Sequence, residues 1–596
     1  MSAEIENIRN AILHYDIKNI NSIVQKAIDS GDDPGDILDN GMISAMDEIG
    51  TGFKENRIYM PQMLIAAKTM QSGLEVLKPH LKGDGSTSRA GKAVVGSVMG
   101  DVHDIGKNIV SIMFEGVGLE VIDLGSDVPN DAFLETLREE GDVRYVAASS
   151  SMTPTRSNLK AVVESIKASE FKDDVVVMVG GATMDQTFSD EIGADIYTAD
   201  AASASQRAKE IKSGRAVEDV SADSRKVAMA AMDEFVAVAD EAEEEFAGVR
   251  RHLLEPAIRK VGHFERKPLS TKDNVWETLK HEKGCPDRYV NQYGFFDLVF
   301  DPVVYRSMNL GNFFAATPEY DDGWGVPQQF PAGAGGPHPS GTVIKDITYW
   351  QDYVKPPSME FTAADWAPVK EQAKAIKDGD KFLGVSMLTG LFERTHFHLG
   401  MQDALVEYYQ HPEEMQELID FFTDWEIQSL DEVFANIEPE VLFHHDDWGT
   451  AINSFLDPVS HRKFFYEPYK RIYDHFRELG GEIIIHHSDS WAVNLVPIWC
   501  DLKVDIWQGA IANNNIPEVI DKYGDKLTIM GGIDDAFVDI PDWNADVVRR
   551  YVEDQCDAIG TTSFIPCLTR GLGMSVFPGV YDCISETIDK VSARKF

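Results

Sequence analysis

A short polar loop between two apolar segments constrains the fold of this chain more than any other feature. Residues 93–98 are apolar or small, residues 100–106 read Gly-Asp-Val-His-Asp-Ile-Gly, and residues 108–110 read Asn-Ile-Val. This pattern predicts a strand, a loop and the start of a helix, as in a parallel α/β sheet. Within the loop, Asp101 can hydrogen-bond one imidazole nitrogen of His103 and leave the other nitrogen free for a metal ion. On this motif alone, an ordinary strand-to-helix loop with a surface histidine is an alternative.

Two further segments read as strands that end in small or hydroxyl residues. Residues 145–148 lead into residues 149–155, which read Ser-Ser-Ser-Met-Thr-Pro-Thr, and residues 175–179 lead into Gly180 and Gly181. Parallel sheets bind their ligands at the carboxyl ends of the strands. The three strand ends therefore predict one ligand site at a common edge of the sheet.

These segments resemble the cobalamin-binding domain of methionine synthase and of the corrinoid proteins of methylotrophic and acetogenic methyltransferase systems. That family carries Asp-x-His-x-x-Gly, then Ser-x-Leu, then Gly-Gly, in this order and at about this spacing. The resemblance implies that His103 is the lower cobalt ligand, in place of the cofactor's own dimethylbenzimidazole, and that Asp101 orients it. The cobalamin-binding residues that it implies are His103, Asp101, Gly106, Ser149, Ser151, Thr153, Thr155, Gly180 and Gly181. The chain departs from the family at Ser151, where the family has leucine.

The residues before this segment have the spacing of helices. Apolar residues recur at helical intervals over residues 17–28, and Gly31 and Pro34 follow them. A plain helical bundle is the simpler interpretation of this period, whereas the order of bundle and sheet resembles the cap module that covers the upper face of corrinoids in the same family. We therefore expect a helical cap domain over residues 1–88 and a Rossmann-like, doubly wound cobalamin-binding domain over residues 89–215.

The composition restricts the partners and the compartment. With 55 Lys and Arg against 99 Asp and Glu, the formal net charge is −44, which repels nucleic acids and anionic membrane surfaces. The amino-terminal segment is polar, and no apolar run approaches membrane-spanning length. The five cysteines are scattered and form no Cys-x-x-Cys pair. We therefore expect a reduced, cytoplasmic protein that binds neither nucleic acid nor membrane.

The second half of the chain has the length and the pattern of a (β/α)8 TIM barrel. A charged, helix-prone linker over residues 216–265 precedes a domain over residues 266–596, which is large enough for such a barrel with extensions. Strand candidates alternate with helical segments, and several of them end in polar residues. These ends lie at residues 444–449, 486–489, 507–508, 531–535 and 564–567. With the first half, this pattern predicts a multidomain α/β protein.

Histidine, aspartate and cysteine side chains at the barrel strand ends suit a metal site. The carboxyl ends of barrel strands meet at one rim, so we expect His487, Asp489 and Cys567 to converge there. His445 or Asp446 would join them. Mixed nitrogen, oxygen and sulfur ligands suit zinc with an open coordination position. The alternative is that each pair of adjacent histidines consists of one core residue and one surface residue with no common function.

This half resembles the methyltransferase branch of the uroporphyrinogen decarboxylase superfamily. The resemblance rests chiefly on Asp-Asp-Trp-Gly at residues 446–449 and on Ile-His-His-Ser-Asp at residues 485–489. Zinc-dependent members of that branch use His-x-Cys and a later cysteine. The resemblance therefore implies zinc bound by His487, Asp489 and Cys567, with aspartate where the family has its first cysteine. This replacement weakens the case for a thiol acceptor, because the family's thiol chemistry uses thiolate-rich sites.

Together, the two resemblances imply a corrinoid-dependent methyltransferase with both modules on one chain. A methyl group would pass between a small methylated substrate and protein-bound cobalamin, whose cobalt alternates between Co(I) and methyl-Co(III). A zinc ion or a proton donor would make the leaving atom less basic. The catalytic candidates for this role are His487, Asp489, Asp446 and His445.

A further resemblance and a group of aromatic residues predict the class of the substrate. Residues 324–339 and 344–350 resemble segments of methoxy-aromatic O-demethylase methyltransferases, which favours a methoxylated aromatic or similar substrate. Five side chains are candidates for an aromatic pocket, with ordinary core packing as the alternative for each. They are Trp324, Phe392, His396, Phe397 and Trp448.

Two other functions stay open at this point. In one, methylcobalamin donates its methyl group to a thiol such as coenzyme M. In the other, the chain is a cobalamin-binding sensor without activity, against which the histidines and aspartates at the strand ends argue. The enzyme interpretation implies a second methyltransferase or methyl acceptor and a reductive activase that rescues oxidised cobalt. The sequence leaves open whether the protein forms a homo-oligomer.

Overall fold

The computed structural model describes most of the chain. The described residues are 2–54, 57–80, 91–101, 105–151, 155–181, 184–226, 268–330, 337–451, 453–540, 543–571 and 575–596. His103 and Thr153 lie outside the described residues, as does the greater part of the expected linker. The roles expected for these two residues therefore stay predictions.

The chain divides into two compact units. The first unit consists of Met1–Glu55 and Ile65–Lys267, and the second consists of Asn56–Leu64 and Pro268–Phe596. Among the helices that the structure describes, none combines the length and the apolar character needed to cross a bilayer. The domain boundaries expected from the sequence stay predictions.

The amino-terminal region is helical, as the sequence predicts. Its helices are Ala3–Leu13, Ile20–Asp29, Pro34–Asp36, Ser44–Lys54 and Met60–Leu77, with a π-helical segment over Ile37–Ile43. Ser2 caps the first helix, since its hydroxyl accepts a hydrogen bond from the backbone N–H of Ile5 at 3.1 Å. In the second helix, Ile20, Val24 and Ala27 are buried at intervals of four and three residues. One face of this helix therefore packs while the other meets solvent.

A five-stranded parallel sheet forms the centre of the first unit. Its strands are β1 (Lys92–Ser97), β2 (Glu120–Asp123), β3 (Val143–Ser149), β4 (Val176–Gly180) and β5 (Ile196–Tyr197). Its helices are Ile105–Gly116, Asn130–Glu140, Arg156–Lys167, Gln186–Ile192 and Ala201–Lys212. Alternate residues of β1 enter two different apolar clusters, with Val94 in one and Ala93 and Val95 in the other. Because both faces of the sheet are buried, the expected doubly wound fold is confirmed.

Seven parallel strands form one sheet in the second unit. They are β6 (Phe296–Val299), β10 (Phe382–Met387), β11 (Val441–His445), β12 (Ile483–His487), β13 (Ile506–Ala510), β14 (Thr528–Ile533) and β15 (Phe564–Leu568). Their order is β15-β14-β13-β12-β11-β10-β6, so successive strands of this sheet are neighbours. A small antiparallel sheet consists of β7 (Glu319–Asp321), β8 (Pro327–Gln329) and β9 (His338–Pro339).

The two edges of the seven-stranded sheet meet through Gln292, which precedes β6. Its backbone N–H donates to the carbonyl of Pro566 at 3.2 Å, and its side-chain oxygen accepts from the N–H of Leu568 at 3.3 Å. The domain is therefore TIM-barrel-like, which confirms the predicted fold class. The described residues contribute seven strands to this sheet rather than the expected eight.

Helices connect the strands of the second unit along the chain. Those of eight residues or more are Thr271–Leu279, Ala363–Lys377, Leu391–Leu399, Met401–Gln410, Pro412–Phe434, Pro458–Glu478, Ile516–Tyr523, Ala545–Ile559 and Val580–Lys595. Inside the sheet, one apolar cluster joins Phe443, Ile485, Ile506, Met530 and Ile565 from five neighbouring strands. This cluster fills the interior of the barrel. Ligands therefore bind at the rim, where the carboxyl ends of the strands meet.

Candidate functional site

The strand ends of the first unit form a continuous row. Ser97 of β1 pairs with Ser149 of β3, and Ser149 pairs with Gly180 of β4. The hydroxyls of Ser97 and Ser149 lie 2.9 Å apart. The strand order is β2-β1-β3-β4-β5. After β1 the chain first adds β2 on one side of β1 and then adds β3 on the other side, so the order of the strands reverses between β1 and β3. In open α/β sheets, that position is where ligands bind.

Asp101 lies at this edge and is fully buried. Its carboxylate accepts a hydrogen bond from the backbone N–H of Ser151, which joins the loop after β1 to the loop after β3. Thr155 is also buried, and its hydroxyl lies 2.8 Å from that of Ser150. The structure therefore brings Asp101, Ser149, Ser151 and Thr155 of the predicted cofactor set to one edge.

The glycines expected at this edge differ in the space around them. Gly181 has a φ of +118°, and a Cβ at this position would lie 2.1 Å from the carbonyl oxygen of Ser150. The strand ends of β3 and β4 thus approach each other as only glycine permits. A Cβ at Gly180 would lie 3.1 Å from the carbonyl of Thr198, whereas one at Gly106 would meet no atom within 4 Å. An edge built from backbone, hydroxyls and glycine suits the close approach of a large ligand.

In the second unit, two histidines lie side by side at the strand ends. His445 of β11 and His487 of β12 are register partners, and their ring centroids are 4.3 Å apart. His444 and His486, which precede them, point to the opposite face and are fully buried. Side chains alternate between the faces of a strand, so each His-His pair supplies one histidine to the rim. The alternative of one core residue and one surface residue in each pair is wrong for the second pair, because His487 is buried at 1% exposure. His445 is partly exposed, and the two histidines of this face lie together.

Each rim histidine is held through its Nδ1 atom. His445 Nδ1 lies 3.0 Å from a carboxylate oxygen of Glu393, and His487 Nδ1 hydrogen-bonds the amide oxygen of Gln508. The Nε2 atoms are then left for other ligands, which is the usual arrangement of metal-binding histidines. His487 Nε2 lies 3.7 Å from Asp447 Oδ1.

These residues have the geometry of a metal site. One potential ligand atom each from His445, Asp447 and His487 lies within 4.8 Å of the other two. Gly571 borders the pair, because a Cβ there would lie 3.4 Å from His487 Nε2 and 3.5 Å from His445 Cδ2. Two imidazoles and one carboxylate match the ligands of catalytic zinc sites that keep an open position. The donor set therefore fits zinc.

Asp489 lies beside this cluster. Its backbone N–H donates to Asp447 Oδ1 at 3.0 Å, and the residue is exposed at the rim. Partial desolvation of the carboxyl group, and then the charges of Asp447 and Asp535, raise the pKa of Asp489 above its usual value. Asp489 therefore holds a proton more readily than an isolated aspartate does.

The two histidines differ in charge. Burial disfavours the charged ring of His445, but the carboxylates of Glu393, Asp447 and Asp489 outweigh it and raise the pKa of His445 to about 10. Burial and the neighbouring His445 lower the pKa of His487 to about 4. Without a metal ion, the site therefore pairs a charged imidazole with a neutral one.

Two of the predicted site residues lie elsewhere. Cys567 is fully buried in the apolar cluster of the barrel, and its thiol pKa is raised by burial, so the structure does not bring it to the ligand cluster. Asp446 is also fully buried. Its carboxylate accepts the backbone N–H groups of Phe392 and Glu393 at 3.0 Å and 2.8 Å, which gives it the contacts of a helix cap. In place of these two, Asp447 is the third group of the cluster.

Sequence reasoning missed Asp447, Glu393 and Gln508. Strand alternation was a usable signal for Asp447, since residues 443, 445 and 447 share one face. Gln508 follows from the same alternation in β13, where Ile506 belongs to the interior cluster. Glu393 had no such signal, because its helix meets His445 only in the folded chain.

The expected aromatic pocket is wrong for three of its five members. Trp324, Phe392 and Trp448 are buried and pack in the core, as their ring contacts show. Trp324, for example, lies 4.9 Å from Trp425 between ring centroids. His396 and Phe397 are partly exposed at the end of their helix.

Family models match three segments of the chain. The description B12 binding domain applies to residues 4–78 and, in a second model, to residues 91–207. Uroporphyrinogen decarboxylase (URO-D) applies to residues 324–578. The first two matches cover the helical region and the five-stranded sheet, and the third covers most of the barrel.

Curated relatives match the first half. Trimethylamine corrinoid protein 1 of Methanosarcina acetivorans is 36% identical over 194 residues, which are 32% of this chain and 89% of that protein. Dimethylamine corrinoid protein of Methanosarcina barkeri is 37% identical over 208 residues, which are 35% of this chain and 96% of that protein. Among solved structures, the methanol:cobalamin methyltransferase complex of Methanosarcina barkeri is 28% identical, with a TM-score of 0.33 over 36% of this chain and 81% of that one.

Fold, strand-edge site and matches together define a B12-binding protein with a URO-D domain on the same chain. The chain belongs to the corrinoid protein family, and its domain content is that of a fused corrinoid methyltransferase. The resemblances expected from the sequence are confirmed, and cobalamin is supported as the cofactor.

Proposed function

We propose that this chain transfers a methyl group between a small methylated substrate and cobalamin bound by its own B12-binding domain. The observation that carries the proposal is the cluster of His445, Asp447 and His487 at the barrel rim of a chain that also contains B12-binding domains. When bound, cobalamin supplies a cobalt atom that accepts or gives up the methyl group. The chain's own residues bind the cofactor, hold the substrate and adjust the leaving atom.

The first unit would hold the corrinoid. His103 is the proposed lower cobalt ligand, with Asp101 as the residue that orients it. In support, the Asp101 carboxylate is already fixed by the N–H of Ser151. The proposed neighbours of the ring and the nucleotide tail are Gly106, Ser149, Ser151, Thr153, Thr155 and the Gly180–Gly181 pair.

Zinc is the proposed metal of the second unit, held by His445, Asp447 and His487. This set replaces the sequence-derived set with Asp489 and Cys567. The ion would supply Lewis-acid character to the atom that carries the methyl group. Asp489 is proposed to hold or release a proton at that atom, because its pKa is raised and it lies against Asp447.

The methyl donor is proposed at the level of class. A methoxylated aromatic donor follows from the resemblance of the loop segments, although fewer aromatic residues line the rim than expected. A methylamine is the second candidate, because the relatives above are named trimethylamine and dimethylamine corrinoid proteins. Glu393 and Asp447 at the rim would favour such a cation.

A donor screen tests the proposal. The purified chain is loaded with hydroxocobalamin and zinc, reduced chemically, and mixed with methoxybenzenes, methylamines, methyl sulfides or methyl-coenzyme M. Loss of the cobalt(I) absorbance with one donor class is the expected result. Transfer of methyl from methylated cobalamin to coenzyme M, without reaction with any other donor, would instead support the thiol methyltransferase. Absence of both reactions would contradict the proposal.

The lower ligand has its own test. Replacement of His103 by alanine should shift the visible spectrum of the bound cobalamin towards the form without a histidine ligand, and an unchanged spectrum would exclude His103. Among partners, a second methyltransferase or methyl acceptor and a reductive activase are proposed, since cobalt oxidised by accident has to be reduced again. Adding a cell extract should restore activity after oxidation if an activase acts on this protein.

A further inference from the structure

Gln508 is a buried side chain of β13 beside the rim histidines. It pairs with His487 across β12 and β13, and both side chains are buried. The amide nitrogen of Gln508 donates to the backbone carbonyls of Leu568 and Thr569, each at 3.2 Å, and lies 3.5 Å from that of Arg570. These three consecutive carbonyls belong to the end of β15 and the loop that follows.

The carbonyls decide which way round the amide lies. A carboxamide nitrogen only donates hydrogen bonds and its oxygen only accepts them. A reversed Gln508 would direct its amide oxygen at three carbonyl oxygens, which repel it, and would remove the donor from these buried carbonyls, which is costly. The amide oxygen must therefore face His487 Nδ1, with which it is in hydrogen-bond contact.

The amide oxygen in turn decides which nitrogen of His487 carries the proton. Because this oxygen cannot donate, the hydrogen of the bond belongs to Nδ1. The neutral ring then has its lone pair on Nε2, the atom that lies 3.7 Å from Asp447 Oδ1. This tautomer is the one in which His487 can bind a metal ion at the rim.

We infer that Gln508 is a positioning residue for the metal site, which fixes the tautomer and the ring orientation of His487. The inference rests on the proposed function of the cluster. His445 is held by a carboxylate, Glu393, so the two imidazoles are oriented by groups of different charge. A neutral amide orients His487 without adding a charge to a rim that already has several carboxylates.

The same amide also fixes the border of the site. Its bonds to residues 568–570 hold the loop in which Gly571 follows, and a Cβ at Gly571 would lie 3.3 Å from His487 Cε1. Gln508 thus sets both the direction of the ring and the distance of the backbone above it. Substitution should loosen both together.

Two variants separate these contributions. Gln508→Leu removes the acceptor for Nδ1–H and the donors for the carbonyls, whereas Gln508→Glu keeps an acceptor and removes the donors. Outer-shell partners of metal-binding histidines contribute about 10- to 100-fold to metal affinity. We expect the zinc affinity, measured by competition with a chelating dye, to fall by about that factor in the Leu variant and by a few-fold in the Glu variant.

Asn274→Leu is the matched control. Asn274 is also a buried amide of the second unit; its side chain donates to the carbonyl of Arg288 at 3.0 Å and accepts from the N–H of Asp287 at 2.9 Å, and neither partner belongs to residues 568–571. It should lower the stability of the second unit, as the Gln508 variants do, without changing the zinc affinity. Thermal unfolding followed by tryptophan fluorescence checks that all variants are folded.

The tautomer of His487 can be measured in the metal-free protein. Long-range ¹H–¹⁵N correlation spectra of histidine-labelled protein, with His487→Gln for assignment, report which nitrogen is protonated. The expected result is Nδ1–H for His487 in the wild type and in Gln508→Glu, and a mixture or Nε2–H in Gln508→Leu. Nε2–H in the wild type, or an unchanged tautomer and zinc affinity in Gln508→Leu, would overturn the inference. A wild type that shows Nδ1–H but binds no zinc would instead count against the metal site itself.

Discussion

The ring centroids of His445 and His487 lie 4.3 Å apart, with 30° between the ring planes. This spacing follows from the register of β11 and β12, in which the two residues are direct partners. Neighbouring strands are separated by about 4.8 Å, so partners on one face stand side by side. Two nitrogen donors are therefore held at one strand spacing by the backbone, and Asp447 supplies the third potential ligand atom.

Removal of either rim histidine should abolish zinc binding and methyl transfer. We expect His445→Ala and His487→Ala each to lower the zinc affinity by more than about 100-fold, the upper end of what outer-shell partners contribute. Zinc is measured by elemental analysis after dialysis, and cobalamin by its visible absorbance. His475→Gln, on a surface helix where its ring contacts Asp431 at 2.8 Å, is the control. Normal zinc content in both alanine variants would contradict the site.

Substitution of Cys567 distinguishes the zinc ligand set that the structure supports from the set predicted from the sequence. Because Cys567 belongs to the apolar cluster of the barrel, we expect Cys567→Ala to keep its zinc and to lose about 1 kcal/mol of stability through the small cavity. Asp447→Asn should lose zinc. The opposite pattern in elemental analysis would restore the set of His487, Asp489 and Cys567.

A methyl group at residue 571 should crowd the site. The Cβ of Gly571→Ala would lie 3.3 Å from His487 Cε1 and 3.4 Å from Nε2, so the ring must shift by a few tenths of an ångström. We expect a roughly tenfold loss of zinc affinity with little change in thermal stability. Gly341→Ala, where the nearest atom would be Pro327 Cγ at 3.4 Å, is the control and should keep full affinity.

The close approach at residue 181 predicts a selective effect on the first unit. In Gly181→Ala the Cβ would lie 2.1 Å from the carbonyl oxygen of Ser150, so the ends of β3 and β4 must separate. Gly193→Ala is the control, because Gly193 also has a positive φ, +78°, but a Cβ there would have no neighbour within 4 Å. Both variants should lose stability from the backbone conformation, of order 1–3 kcal/mol, but only Gly181→Ala should also lose cobalamin binding. Retained cobalamin in Gly181→Ala, measured after gel filtration, would contradict this placement.

The pKa of Asp301 predicts a dependence of stability on pH. This carboxyl is 2% exposed, and burial raises its pKa to about 6 against the opposing hydrogen bonds from Val303 and Val304. A carboxyl with a raised pKa binds its proton more tightly in the folded state, so its contribution is full below about pH 4 and is lost as the pH rises through about 6. The loss amounts to roughly 3 kcal/mol.

Asp301→Asn should remove this dependence, because asparagine stays neutral and still caps a helix. Urea unfolding at several pH values between 4 and 7 measures it. All ten tryptophans lie beyond residue 268, so their fluorescence reports the second unit. The wild type should lose stability relative to the variant as the pH rises, and parallel curves would exclude the effect.

Local pattern was sufficient for the elements that carry the two candidate sites. The strand, loop and helix around Asp101 and the strand ends at His445 and His487 follow from apolar runs and their polar ends, since side-chain periodicity reflects burial directly. The family resemblances followed from short motifs of the same kind. Strand alternation also places Asp447 on the same face as His445. The prediction of Asp446 as a site residue did not take this alternation into account.

Contacts between distant segments were decided only by the tertiary structure. Glu393 meets His445 across 52 residues of chain, and Gln508 lies between His487 and the carbonyls that follow β15. Cys567 has a thiol that could bind a metal ion, but it lies in the apolar interior of the barrel. The sequence by itself determined the residue types and the faces on which they stand, because these depend on local period. Which side chains share hydrogen bonds and a common ligand depended on register and closure of the barrel, which arise from packing of the whole chain.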